Sequence, residues 1–143
     1  ILSTLHEGLL MDFVKYLKNV SAQKQINKLS KKYKDKKIVL YGAGLYAQIL
    51  LKNFDTTKLN IVAVCDKKYN DNSEELFCGF RTISPKELTE FNCDVVLVTV
   101  IEDIAIIDYL QDELLVATKN EDLLVKPFIS PTFLYCLKTL IFG

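Results

Sequence analysis

Apolar positions recur along this chain with two different periods, and the change from one to the other lays out its elements. Leu9, Leu10, Phe13, Val14 and Leu17 fall at helical spacing. A second helical set follows in Ala22, Ile26, Leu29 and Tyr33, with Ser21 placed as its N-cap. From position 38 the pattern shifts to short unbroken apolar runs rich in β-branched residues: 38–41 (IVLY), 59–65 (LNIVAVC) and 95–100 (VVLVTV). Such runs are buried strands, and the last, being the most apolar, belongs in the middle of a sheet. Between the first two runs, Ala47, Ile49, Leu50 and Leu51 give a helix with one apolar stripe. A strand, a helix and a strand of these lengths form a βαβ unit, whose crossover makes the strands parallel.

The rest of the chain is more broken. Residues 67–77 (KKYNDNSEELF) are polar and turn-rich, a loop over the carboxyl end of the sheet. Residues 79–83 make a short third strand. Ser84, Pro85 and Glu87 then supply a capping box and a first-turn proline for a helix through Leu88 and Phe91. Asp94 opens the strand at 95–100. Glu102 and Asp103 start a helix through Ile104, Ile107 and Leu110, acids being favoured at its positive end. Residues 114–117 are a fifth strand or the end of that helix. Pro127 and Pro131 interrupt any long element, and 132–142 make a last helix with Phe133, Leu134, Leu137 and Ile141 on one side.

The chemistry concentrates where the first strand meets the first helix of the βαβ unit. Gly42-Ala43-Gly44-Leu45-Tyr46-Ala47 fits the pattern G-x-G-x-x-G/A. Gly42 can take the backbone angles of a tight turn. Gly44 lacks a Cβ that would hold a pyrophosphate off the main chain, and Ala47 lets helix and strand approach. The N–H groups of the helix start would face the phosphates. Asp66, 19 residues beyond Ala47, ends the second strand where a carboxylate would accept from a ribose hydroxyl. A ribose contact predicts that Asp66→Asn weakens binding and leaves the fold unchanged. Lys67 could touch a phosphate or stand in solvent, and Thr99, near the carboxyl end of its strand, could meet a second ribose or phosphate or simply be a strand residue. Gly42, Ala43, Gly44, Leu45, Tyr46, Asp66, Lys67 and Thr99 are thus the candidate nucleotide contacts. The alternative is a turn that only joins strand to helix.

The segments KIVLYGAGLYAQILLKNF, IVAVCDKKY, GFRTISPKEL and CDVVLVTV resemble the small Rossmann domain of bacterial polysaccharide and sugar-nucleotide biosynthesis proteins. That domain stands at the start of sugar acyltransferases, in nucleotide-sugar dehydratases and before some sugar methyltransferases and transferases. The resemblance covers about residues 36–99. It implies an α/β, three-layer Rossmann-like domain with a mainly parallel sheet over 35–143; the two helices read from periodicity in 1–34 precede it and lie outside the resemblance. Relatives of this kind bind NAD, a UDP-sugar or no known ligand, so the resemblance implies NAD or a UDP-sugar as the candidate ligand. The chain departs from the pattern at Lys67 and Lys68, where acids are usual, and at Tyr46, where a small residue is common.

Composition narrows the function classes. Lys plus Arg equals Asp plus Glu at 18 each, so no overall field draws in nucleic acid. The lysines at 28, 31, 32, 34, 36 and 37 read as a solvated helix end. Cys65, Cys78, Cys93 and Cys136 lack metal-ligand spacing, and Cys65 and Cys93 read as small buried groups. The lone histidine, His6, has no partner for a triad or a zinc site. No secretory leader and no apolar run of membrane-spanning length is present, so the chain reads as cytosolic and reduced. Its start at Ile1 and apolar finish suggest a piece of a longer protein with further domains. No Tyr-x-x-x-Lys pair or other proton-transfer set for hydride chemistry is present, so the expected role is binding, not catalysis. The two leading helices either pack onto the sheet or offer an apolar face for a homodimer or a docked domain. That leaves a second class of function, a non-binding dimerisation or interaction module.

Overall fold

The computed structural model describes residues 2–99 and 122–130, and the side chains from residue 11 onward. Two helices, α1 (Leu2–Asn19) and α2 (Ala22–Lys32), lead into β1 (Ile38–Tyr41), α3 (Leu45–Asn53) and β2 (Ile61–Cys65). Then come β3 (Leu76–Phe77), β4 (Phe80–Ile83), α4 (Pro85–Glu90), β5 (Val95–Val98) and β6 (Leu124–Pro127). The expected helix from Glu102 and Asp103, the 114–117 segment, the helix at 132–142, Val100 and Cys136 lie outside the described residues. So do the side chains of His6, Leu9 and Leu10.

Among the described residues the strands form one six-stranded sheet in the order β3-β4-β2-β1-β5-β6. Every pairing is parallel except the β3–β4 hairpin at one edge. The apolar runs explain this. A parallel strand is covered on both faces, so consecutive residues must all be apolar and alternate between two cores. Ile38 and Leu40 of β1, Val64 of β2, and Val95 and Leu97 of β5 enter one core with Ile26 of α2 and Ile49 and Leu50 of α3. Val39, Tyr41, Ala63, Cys65, Val96 and Val98 enter the other, with Leu88 of α4. Helices on both faces of a mostly parallel sheet make the fold α/β and Rossmann-like, preceded by two N-terminal helices.

Those leading helices belong to the first core. Leu17, Val20 and Ile26 are 0–1% exposed within it. Two glutamine amides fasten α2 to the body by pairing with backbone. Gln23 accepts from Asp55 N at 2.8 Å and donates to Asp55 O at 2.9 Å. Gln25 accepts from Ser130 N at 2.9 Å and donates to Ser130 O at 2.6 Å.

Several boundaries differ from the sequence reading, each for a physical reason. Ser21 holds the N-cap position of α2, its C=O accepting from Gln25 N at 3.0 Å, but its side chain makes no cap bond, because it takes left-handed angles (φ 58°, ψ 48°) that turn the chain between the two helices. β2 begins at Ile61, because Leu59 N closes a turn onto Thr56 O at 3.0 Å. Part of the expected loop is the short strand β3, joined to β4 through Cys78 and Gly79. Both take positive φ (50° and 84°), the handedness that a two-residue hairpin turn needs. β6 ends on Pro127, a residue tolerated at a sheet margin because its missing N–H need not pair there. The capping box at the start of α4 is as read: Ser84 Oγ accepts from Glu87 N at 3.1 Å and Glu87 Oε1 from Ser84 N at 3.0 Å.

Candidate functional site

After β2 the chain steps outward to β4, then returns through α4 to β5 on the far side of β1. The connections diverge at the carboxyl ends of β1 and β5, the place where open α/β sheets leave a crevice for ligands. The glycine turn lies there. Gly42 has φ 118°, which a side chain would strain, and its N–H donates to Cys65 O at 2.8 Å. Ala43 is buried and Gly44 is exposed. A Cβ built on Gly44 would meet nothing within 4 Å, so open space borders the main chain at that point.

Asp66 leans across from the end of β2 onto this turn. Its Oδ2 accepts from Ala43 N at 2.7 Å and its Oδ1 from Lys68 N at 3.0 Å. Lys68 then folds back, with Nζ donating to Ala43 O at 2.6 Å. The ammonium stands over the rings of Tyr69 (5.4 Å) and Phe77 (5.7 Å), where cation–π attraction steadies it. Both the N–H and the C=O of Ala43 are thus held by residues 66–68. This clasp changes the expectation that Asp66 can be replaced without effect on the fold.

The other candidates fall at different depths. Thr99 is 2% exposed. Its Oγ1 lies 2.7 Å from Gly42 O and 3.0 Å from Tyr41 O, and its N–H donates to Tyr41 O at 2.9 Å. The hydroxyl proton therefore ties β5 to the glycine turn. Tyr46 packs edge-on against Phe13 of α1, ring centroids 5.1 Å apart. That contact accounts for a bulky residue where a small one is common. Leu45 is 41% exposed and Lys67 is exposed. Lys68, not singled out from the sequence as a contact, is the lysine that reaches the turn. The pair of lysines after Asp66 was the only available signal.

Burial pushes the Cys65 thiol up to about 12, with the neighbouring Asp66 charge adding to it, and burial pushes Cys93 up to about 11. Both thiols stay protonated at neutral pH and are not nucleophiles. Among the described residues no grouping of His, Cys, Asp and Glu could hold a metal ion, and no helix is long and apolar enough to cross a membrane.

Thr99→Val removes one buried donor and keeps the shape. It is expected to lower stability by about 1–3 kcal/mol, read as an earlier denaturation midpoint with an unchanged slope.

A parallel sheet whose connections diverge at a G-x-G turn, with an acid from the next strand beside it, defines a Rossmann-like α/β domain. The chain belongs to the C2185-like N-terminal family, whose model matches residues 34–120. That description names neither a ligand nor a reaction. Among curated proteins, none matches the chain.

Proposed function

We propose that the domain binds a diphosphate-linked nucleoside, NAD(H) or a nucleotide-sugar such as a UDP-sugar, at the glycine turn. In this reading it serves a bacterial sugar-modifying or polysaccharide-assembly transferase whose chemistry is carried by other domains. One observation carries the reading: Asp66 Oδ2 lies 2.7 Å from Ala43 N, so a carboxylate flanks the open main chain at Gly44. A carboxylate offers about four lone-pair positions, and the two N–H donors leave capacity for a ribose hydroxyl. The pyrophosphate would lie against Gly44 at the start of α3, where the helix field favours anions. Asp66 repels a 2′-phosphate, which ranks NAD above NADP. The sugar-nucleotide setting rests on the resemblance over residues 36–99.

A thermal-shift panel of NAD, NADP, UDP-glucose and coenzyme A tests this. A true ligand at about 100 times its Kd adds roughly 2.7 kcal/mol, several degrees of melting temperature at this size. Gly44→Ala is the companion variant. Its methyl meets no atom of the protein, so the unliganded melting temperature is expected to hold while the ligand shift disappears. A panel that leaves the transition unmoved rejects the reading. The second reading, an interaction module that binds no nucleotide, draws on the fact that Asp66 and Thr99 both bond to the turn itself. A tight dimer with no ligand response would support it.

A further inference from the structure

The outer faces of α1 and α3 enclose a groove of about 740 Å³ that shares only Leu45 with the candidate nucleotide contacts. Its floor is apolar: Val14 and Ile49 line it, Met11 (73% exposed) stands at its edge, and Leu45 (41% exposed) closes the side nearest the glycine turn. Lys15 and Lys18 stand on the α1 wall and Lys52 on the α3 wall, all exposed. Among the described lining residues there is no acid. Three lysines flanking an apolar trough call for an occupant that is apolar along its centre and anionic along its flanks.

We infer that this groove docks an amphipathic helix of a partner protein whose apolar stripe is bordered by aspartates and glutamates. Three features select that occupant. Both walls are helices, and each presents side chains three and four residues apart, the ridges into which a third helix packs at about 8–10 Å from each axis. The lysines stand on opposite walls, and two of them are one turn apart on α1. Acids spaced along a helix can meet such an arrangement, whereas a single anionic headgroup would need cations converging on one point. A second copy of the same groove would bring lysines against lysines. Met11 adds a flexible, polarizable side chain of the kind that moulds itself to a partner.

The test uses two fluorescein-labelled helical peptides with the same leucine stripe, one flanked by glutamates and one by lysines, titrated with the 143-residue chain by fluorescence anisotropy. The glutamate peptide is expected to bind saturably at one to one. Its affinity should exceed that of the lysine peptide by at least about tenfold, as three exposed ion pairs would give, and weaken as salt rises. The Lys15→Glu/Lys18→Glu/Lys52→Glu variant should reverse the preference, and Met11→Glu should weaken the glutamate peptide. These side chains are exposed, so circular dichroism should show the same fold in every variant. Equal binding of the two peptides, or indifference to the charge reversal, overturns the inference. So does self-association that Met11→Glu abolishes, which assigns the groove to a second copy. Charge-dependent binding to phosphatidylglycerol vesicles without binding to the glutamate peptide overturns it in favour of a lipid.

Discussion

Asp66→Ala is expected to destabilise the domain by about 2–4 kcal/mol, as the loss of two hydrogen bonds from backbone N–H groups to a partly exposed carboxylate. The variant leaves Ala43 N without its acceptor at 2.7 Å and Lys68 N without its acceptor at 3.0 Å. It also loosens the strap that carries Lys68 Nζ to Ala43 O. Asp66→Asn keeps one acceptor and turns an amide donor toward one of the two N–H groups, so it is expected to cost about 1–3 kcal/mol. Chemical denaturation of the unliganded variants measures this part. A midpoint equal to wild type in Asp66→Ala would mean that the carboxylate does not hold the turn. Binding is measured separately, by calorimetry well below each variant's melting temperature. A ribose contact then predicts a further loss of at least about tenfold in affinity for whichever nucleotide shifts the wild-type transition. Stability loss with unchanged affinity would leave Asp66 a purely structural clasp.

The clasp that Asp66 makes on the turn marks where the sequence stops being informative. The spacing from Ala47 to Asp66 brings the acid beside the glycine turn, because β1 and β2 are neighbours and Gly42 N bonds Cys65 O. Spacing says nothing of which donors the carboxylate meets once there. Lys68 is harder still, since its ammonium folds back across 25 positions to a carbonyl and leans on Phe77, part of a strand only two residues long. The central strands were legible because burial on both faces leaves no freedom: Ile38 and Leu40 serve one core, Val39 and Tyr41 the other. The capping box was legible because its chemistry closes within four residues. β6 was not, because an outer strand with Leu124 38% exposed, Lys126 exposed and a terminal proline carries little of a buried strand's pattern. Ser21 was legible as the residue that precedes α2 but not as a left-handed corner, which is set by the close packing of Leu17, Val20 and Ala22 around it and not by the residue's own type.

The largest effect is expected from removing residues 1–34, the segment that runs up to the start of the family match at residue 34. Leu17, Val20 and Ile26 are buried to 0–1% exposure in the same core as Ile38, Leu40, Leu50 and Leu97. Burying each such side chain contributes roughly 1.5–3 kcal/mol. Together they supply about 5–9 kcal/mol, which is comparable to the whole net stability of an ordinary domain at roughly 5–15 kcal/mol. The deletion also strips Asp55 and Ser130 of their glutamine partners and uncovers the apolar face of β1 and α3. The 35–143 fragment is therefore expected to lack a cooperative thermal transition and to associate through that face, and the 1–143 chain to melt in one step. Circular dichroism melting and sedimentation of the two chains decide it. A fragment that melts cooperatively within a few degrees of the full chain would show that α1 and α2 are an appended element and that the domain begins at β1. Because the first core is continuous from Leu17 to Ile129, the folding unit is expected to begin before the family match does.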